Sequence, residues 1–181
     1  VLTIAGHDPC GGAGLSADLK VFEALGLTGM SVCTAITYQN EDTFEDVVWI
    51  SKKKIKKQLE VLLERYPIDY VKIGIIEDMD TLVWLVNFIK SYNKKTIILW
   101  DPIISASAGF RFHKKMALKS LQEVFDTISI VTPNWEEMEM LSGKREPREG
   151  AKYVSKSCAV YLKGGHNIEL PGVDYLWEEK I

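Results

Sequence analysis

Apolar residues in this chain gather into short, mostly unbroken runs at 1–5, 30–37, 70–74, 96–100, 128–132 and 158–163, instead of alternating with polar ones. Runs of that kind predict strands buried on both faces, which is the pattern of a parallel sheet covered by helices. Between the runs, apolar positions take helical spacing at 15–25, 52–66, 79–91, 114–124, 134–141 and, more weakly, 149–156. Strands alternating with helices predict an α/β fold of three layers, α/β/α, around a mostly parallel central sheet. Residues 143–150, Gly-Lys-Arg-Glu-Pro-Arg-Glu-Gly, read as a polar loop, and no internal repeat is present.

Polar residues fall in a regular place relative to those strands. Gly6 and Asp8 follow the first, Gln39 and Asn40 the second, and Gly74 the third. Asp101 follows the fourth, Asn134 the fifth, and Lys163-Gly164-Gly165-His166 the sixth. In open α/β sheets the ligand crevice lies outside the carboxyl ends of the strands, so six such ends predict one site.

The turn after the first strand, within Ala5–Lys20, carries glycines at 6, 11, 12 and 14 and runs directly into a helix. Missing Cβ atoms let a ligand approach the backbone, and a helix N-terminus offers unpaired N–H groups, so the turn reads as a small-molecule or anion site. It is neither of two familiar phosphate loops. No Gly-Lys-Ser/Thr ending follows the glycines, and their spacing does not match the dinucleotide fingerprint.

The other strand ends suggest phosphate chemistry. Asp101, stopped by Pro102, suits a hydrated Mg²⁺, which takes one or two carboxylates plus substrate phosphates. Asn134 and Glu137 lie one helical turn apart; the pair also has the spacing of a capping box, but beside Asp101 it reads as positioning metal and phosphate. Lys163 ends an apolar strand before two glycines, a costly place for an ammonium unless it meets an anion. Carboxylates, a lysine and glycine-rich backbone together describe phosphoryl transfer.

Composition narrows the class. At 181 residues the chain suits one domain with an ample core, and a net charge of −3 argues against a nucleic-acid surface. The lysines within 52–57 read as the solvated face of an amphipathic helix. Three scattered cysteines suit free thiols in a reducing compartment, which predicts the cytoplasm. No apolar run approaches the roughly 20 residues that cross a membrane.

The chain resembles the hydroxymethylpyrimidine/phosphomethylpyrimidine kinases of thiamine biosynthesis, in the ribokinase-like superfamily. The resemblance rests on AG-x-DP-x-GGAG-x-x-AD-x-K at 5–20, TA-x-x-x-QN at 34–40, KIG at 72–74 and DP at 101–102. It continues through TPN-x-x-E at 132–137 and KGGH at 163–166. It implies an ATP- and Mg²⁺-dependent kinase acting on a small pyrimidine and then on its monophosphate, and a homodimer. Ala13, Asp18, Gln39, Ile75 and Ile103 would border the pyrimidine, with Gly6 and Asp8 beside them. Asp101, Asn134, Glu137 and Lys163 would serve Mg²⁺ and the ATP phosphates, with Asp101 and Glu137 on the metal and Asp101 and Lys163 at the reacting centre. The family's glycine-rich GTGC segment would lie past Ile181, so residues 1–181 are expected to be one ribokinase-like domain incomplete at its C-terminus. A pyridoxal kinase, or a non-catalytic pyrimidine-binding module, is the alternative. Neither His7 nor Cys10 is assigned a catalytic role.

Overall fold

The computed structural model describes residues 1–104, 118–166 and 172–179, with Leu118 and His166 described in backbone alone. Among the described residues, eight strands form a single sheet. The first half of the chain runs β1 (Leu2–His7), α1 (Gly14–Ala24), β2 (Met30–Gln39), β3 (Phe44–Trp49), α2 (Lys52–Leu63), β4 (Tyr70–Ile73) and α3 (Met79–Tyr92). The second half runs β5 (Ile97–Trp100), α4 (Leu118–Thr127), β6 (Ile130–Val131), α5 (Trp135–Ser142), α6 (Pro147–Val154), β7 (Ala159–Leu162), a 3₁₀ turn at Gly164–His166 and β8 (Tyr175–Trp177).

The sheet order is β3-β2-β1-β4-β5-β6-β7-β8. Six strands, β2 to β7 in that order, are parallel, while β3 and β8 are antiparallel additions at the two edges. The six parallel strands are those the apolar runs predict. The two edge strands were not anticipated, because β3, Phe-Glu-Asp-Val-Val-Trp, has no fully buried residue and carries acidic residues, and β8 is three residues long.

Burial explains the central strands. Leu2, Ile4, Val32, Ile73, Ile98, Val131, Val160 and Leu162 are fully buried, and Val71 nearly so, because helices cover the sheet. Helix α2 buries Ile55 and Leu59 and leaves its lysines in solvent, Lys56 pairing with Glu60 at 3.3 Å, as the amphipathic reading requires. Helix ends follow local chemistry. Asp78 caps α3 by accepting from the Thr81 N–H at 2.7 Å. Pro147 opens α6, which takes in part of the segment read as loop, so that loop is confined to 143–146. A proline at the first helical position has its φ already set and lacks an N–H that would be unpaired there. The helix expected at 114–124 is seen as α4 from Leu118 onward; 114–117 lie outside the described residues.

Candidate active site

A cavity of about 430 Å³ opens along the carboxyl ends of the parallel strands. One end is lined by the glycine-rich turn and the β2–β3 hairpin, through Gly6, Asp8, Cys10, Gly12, Ala13, Thr37, Gln39, Asn40, Glu41, Thr43 and Phe44. The floor is Lys72, Gly74, Ile75 and Ile103, and the far end is Asn134, Glu137 and Lys163. One crevice therefore collects residues from the ends of six strands, β1, β2, β4, β5, β6 and β7, as the pattern of polar positions predicts.

The glycine-rich turn is folded around an anion from its own sequence. The Asp8 carboxylate, 4% exposed, accepts from the N–H groups of Cys10 (3.1 Å), Gly12 (3.1 Å) and Ala13 (2.9 Å). The Cys10 thiol donates to the same group at 3.1 Å. Burial pulls the Asp8 carboxyl upward, but hydrogen bonds from the Cys10 thiol, Gln39 and the Cys10 and Ala13 N–H groups outweigh it, leaving the group below its ordinary value. The reading of these N–H groups as a ligand's anion site is corrected accordingly: Asp8 already occupies them. Asp8 organises a wall of the cavity. Gly14 is required there, since its φ is +58° and a Cβ would overlap the Gly6 carbonyl oxygen.

Gln39 sits at the end of β2, within hydrogen-bonding reach of Asp8. Asn40 shapes the following turn: its Oδ1 accepts from the Asp42 N–H (3.0 Å), the Thr43 N–H (2.8 Å) and the Thr43 hydroxyl (2.9 Å). That turn sends β3 back along β2 and brings Thr43 and Phe44 to the cavity. These two residues went unnoticed in the sequence because β3 did.

Asp18 stands apart from the other expected pyrimidine neighbours. It does not line the cavity; its carboxylate accepts from Lys72 Nζ at 2.6 Å and from the Thr3 hydroxyl at 2.5 Å. Lys72, quoted within the KIG motif without a role, is the residue that faces the cavity instead.

At the far end, Asn134 and Glu137 form the capping box. The Glu137 N–H donates to Asn134 Oδ1 at 2.9 Å, and the Asn134 N–H donates to Glu137 Oε2 at 2.8 Å. The capping role is thus real, and it coexists with the site: Glu137, 5% exposed, also borders the cavity. Lys163 Nζ donates to Asp101 Oδ1 at 2.8 Å and lies 3.9 Å from Glu137 Oε2. Asp101 does not itself line the cavity and reaches it through Lys163. Thr132 donates to the same Asp101 oxygen at 3.3 Å. Burial raises the Glu137 carboxyl; the Asn134 N–H and the Lys163 ammonium oppose the rise, and Asp101 adds to it.

The donor set suits a divalent cation. One ammonium already spans both carboxylates, so their spacing accommodates a positive centre between them, and Mg²⁺ needs only one or two carboxylates beside phosphates and water. Because glutamine can replace glutamate in a capping box, Glu137→Gln removes a buried charge and keeps the cap. The variant is expected to have a urea midpoint at pH 7 equal to or above that of the wild type, and a lower one would mean that the charge itself supports the fold.

The sheet order, the parallel core and the crevice across its carboxyl ends define a ribokinase-like fold. The chain matches the family model described as phosphomethylpyrimidine kinase over residues 8–180, and it belongs to that family. It is 34% identical to the thiamine biosynthesis bifunctional protein of Geobacter sulfurreducens over 98% of its own length and 38% of that protein. It is 31% identical to the hydroxymethylpyrimidine/phosphomethylpyrimidine kinase of Rhizobium meliloti over 94% of its length and 64% of that protein. The chain thus spans less than two thirds of each. Among solved structures it is similar to phosphomethylpyrimidine kinase from Clostridium difficile, with a TM-score of 0.86, 35% identity, and coverage of 99% of this chain and 80% of that one. It is also similar to the ADP complex of Staphylococcus aureus pyridoxal kinase, at 26% identity and a TM-score of 0.80, covering 99% and 68%.

Proposed function

We propose that this protein is an ATP-dependent kinase that phosphorylates hydroxymethylpyrimidine and then its monophosphate in thiamine biosynthesis. The observation that carries the reading is the continuity of one cavity from an amide at Gln39 to an ammonium at Lys163. The first end offers a ring-sized apolar floor, Ile75 and Ile103, beside an amide that both donates and accepts, which matches a ring nitrogen next to an exocyclic amine. The second end offers the Lys163 ammonium and the Glu137 carboxylate, with the Asp101 carboxylate behind Lys163, the parts from which phosphoryl transfer is assembled.

In this reading ATP supplies the phosphoryl group. Gln39 and Ala13 orient the pyrimidine, and the Gly6 backbone lets the ring approach β1. Ile75 and Ile103 exclude water from its face, and Lys163 neutralises charge on the phosphates. Asp101 and Glu137 would hold Mg²⁺, whose positive charge screens the phosphates, and Asn134 fixes Glu137 through the cap. The working protein is a cytoplasmic homodimer in which residues 1–181 belong to a single kinase domain. The outer face of the β2–β3 hairpin leaves Ile36, Tyr38 and Val48 exposed and available for contact with a second copy.

Calorimetry with hydroxymethylpyrimidine tests the substrate. Gln39→Leu is expected to weaken binding by about 1–3 kcal/mol, because polar groups of the ring are left unpaired. Unchanged affinity removes Gln39 from the site. Failure of the wild type to bind removes the pyrimidine.

A further inference from the structure

Lys72 is in an unusual place for a lysine. It is the third residue of β4, a central strand paired with β1 on one side and β5 on the other, between Val71 and Ile73, which are 2% and 0% exposed. An ammonium there must meet an anion or reach an opening. Lys72 does both: Nζ donates to Asp18 Oδ1 at 2.6 Å, and the side chain lines the cavity floor. The second Asp18 oxygen accepts from the hydroxyl of Thr3, the cross-strand partner of Lys72 on β1. Strand β1, helix α1 and strand β4 are tied together through these three side chains.

The fold by itself does not call for such a pair, since replacing a buried ion pair by neutral residues of similar size is often no less stable. The cavity supplies a use. An ammonium has three N–H donors, and among the described residues Asp18 is the acceptor that Lys72 meets. The other polar groups nearby are committed: the N–H groups of the glycine-rich turn to Asp8, and Lys163 to Asp101.

We infer that Lys72 is a specificity-determining substrate contact, and that Asp18 is the positioning residue that aims it. Held by Asp18, the ammonium donates to an acceptor atom of a nitrogen heteroaromatic ring seated over Ile75 and Ile103. A ring presenting C–H at that position forfeits the bond. The inference rests on the pyrimidine reading above, and it assigns Asp18 a role through Lys72 instead of direct contact with the ring.

The test uses the full-length protein and three ligands: 4-amino-5-hydroxymethyl-2-methylpyrimidine and its two analogues in which one ring nitrogen is replaced by C–H. Calorimetry compares the wild type with the double variant Lys72→Met, Asp18→Asn, which removes both charges and leaves an acceptor for Thr3. Thermal unfolding of the double variant is expected to stay within a few degrees of the wild type. Its affinity for the parent pyrimidine should fall about 10–100-fold, the range of a hydrogen bond to a charged group. One analogue should bind both proteins alike. A variant that binds the parent as tightly as the wild type overturns the inference, and so does an equal loss on all three ligands, which marks a structural role only. If the double variant does not fold, Lys72→Arg, which keeps the pair with Asp18 but moves the donors, carries the same comparison. A wild type that binds none of the three ligands overturns the pyrimidine reading itself, a result distinct from tight binding that ignores Lys72.

Discussion

Lys163→Met should lower turnover by about 10²–10³-fold, the usual consequence of removing one pre-placed group that meets developing charge, while leaving pyrimidine affinity within a factor of about two. The split follows from the cavity. Lys163 lies at the end opposite Gln39, on the loop after β7, and its backbone N–H is fixed by donating to the Pro133 carbonyl at 2.8 Å. Its side chain is 38% exposed, so methionine fits without strain on the core. Asp101 stays partly solvated and keeps the Thr132 hydroxyl as a donor. The variant should therefore fold normally and lose the phosphate end alone. Steady-state kinetics beside calorimetry checks this. Normal turnover removes Lys163 from the reaction, and an equal loss of pyrimidine affinity would show that the two ends are not separate.

Replacing Asp8 should have the largest effect on stability. Asp8→Ala leaves three backbone N–H groups of the turn without their acceptor, which is expected to cost about 2–4 kcal/mol and to lower Tm by roughly 5–15 °C for a chain of this size. Pyrimidine affinity should fall with it, because the wall carrying Ala13 loses its shape. Asp8→Asn is informative about charge. The folded-state carboxyl lies below its ordinary value, so its contribution is fully present above the ordinary carboxylate range and is lost as pH falls through the folded value. The stability difference between wild type and Asp8→Asn should accordingly be largest near neutrality and shrink below about pH 4. A difference that stays constant down to strongly acidic pH would mean that Asp8 acts through shape alone.

The role of Asp8 shows how a sequence motif and its structure can diverge. Glycines before a helix announce close backbone approach, and the approach occurs. Which anion fills the N–H groups is decided by the carboxylate five residues before Ala13, and only the folded turn brings the two together. The Asn134–Glu137 spacing likewise permits capping and site chemistry, and the structure places Glu137 in both at once, with one oxygen in the cap and its side chain at the cavity.

The parallel core, its six strands with helices between them, and the strand ends that meet in one crevice were legible in the sequence alone. These follow from short-range pattern: apolar runs buried on both faces, helical spacing between them, and polar residues where strands stop. The tertiary structure alone decided the rest. It added β3 and β8, edge strands whose exposed or brief sequences carry no burial signal, and with β3 it brought Thr43 and Phe44 to the cavity. It paired Asp18 with Lys72 and set Lys72, not Asp18, along the cavity, because that arrangement depends on β1, α1 and β4 packing side by side. Side-chain partners separated by 15 and 54 residues, Thr3 with Asp18 and Lys72 with Asp18, are set by packing geometry, which no local pattern encodes.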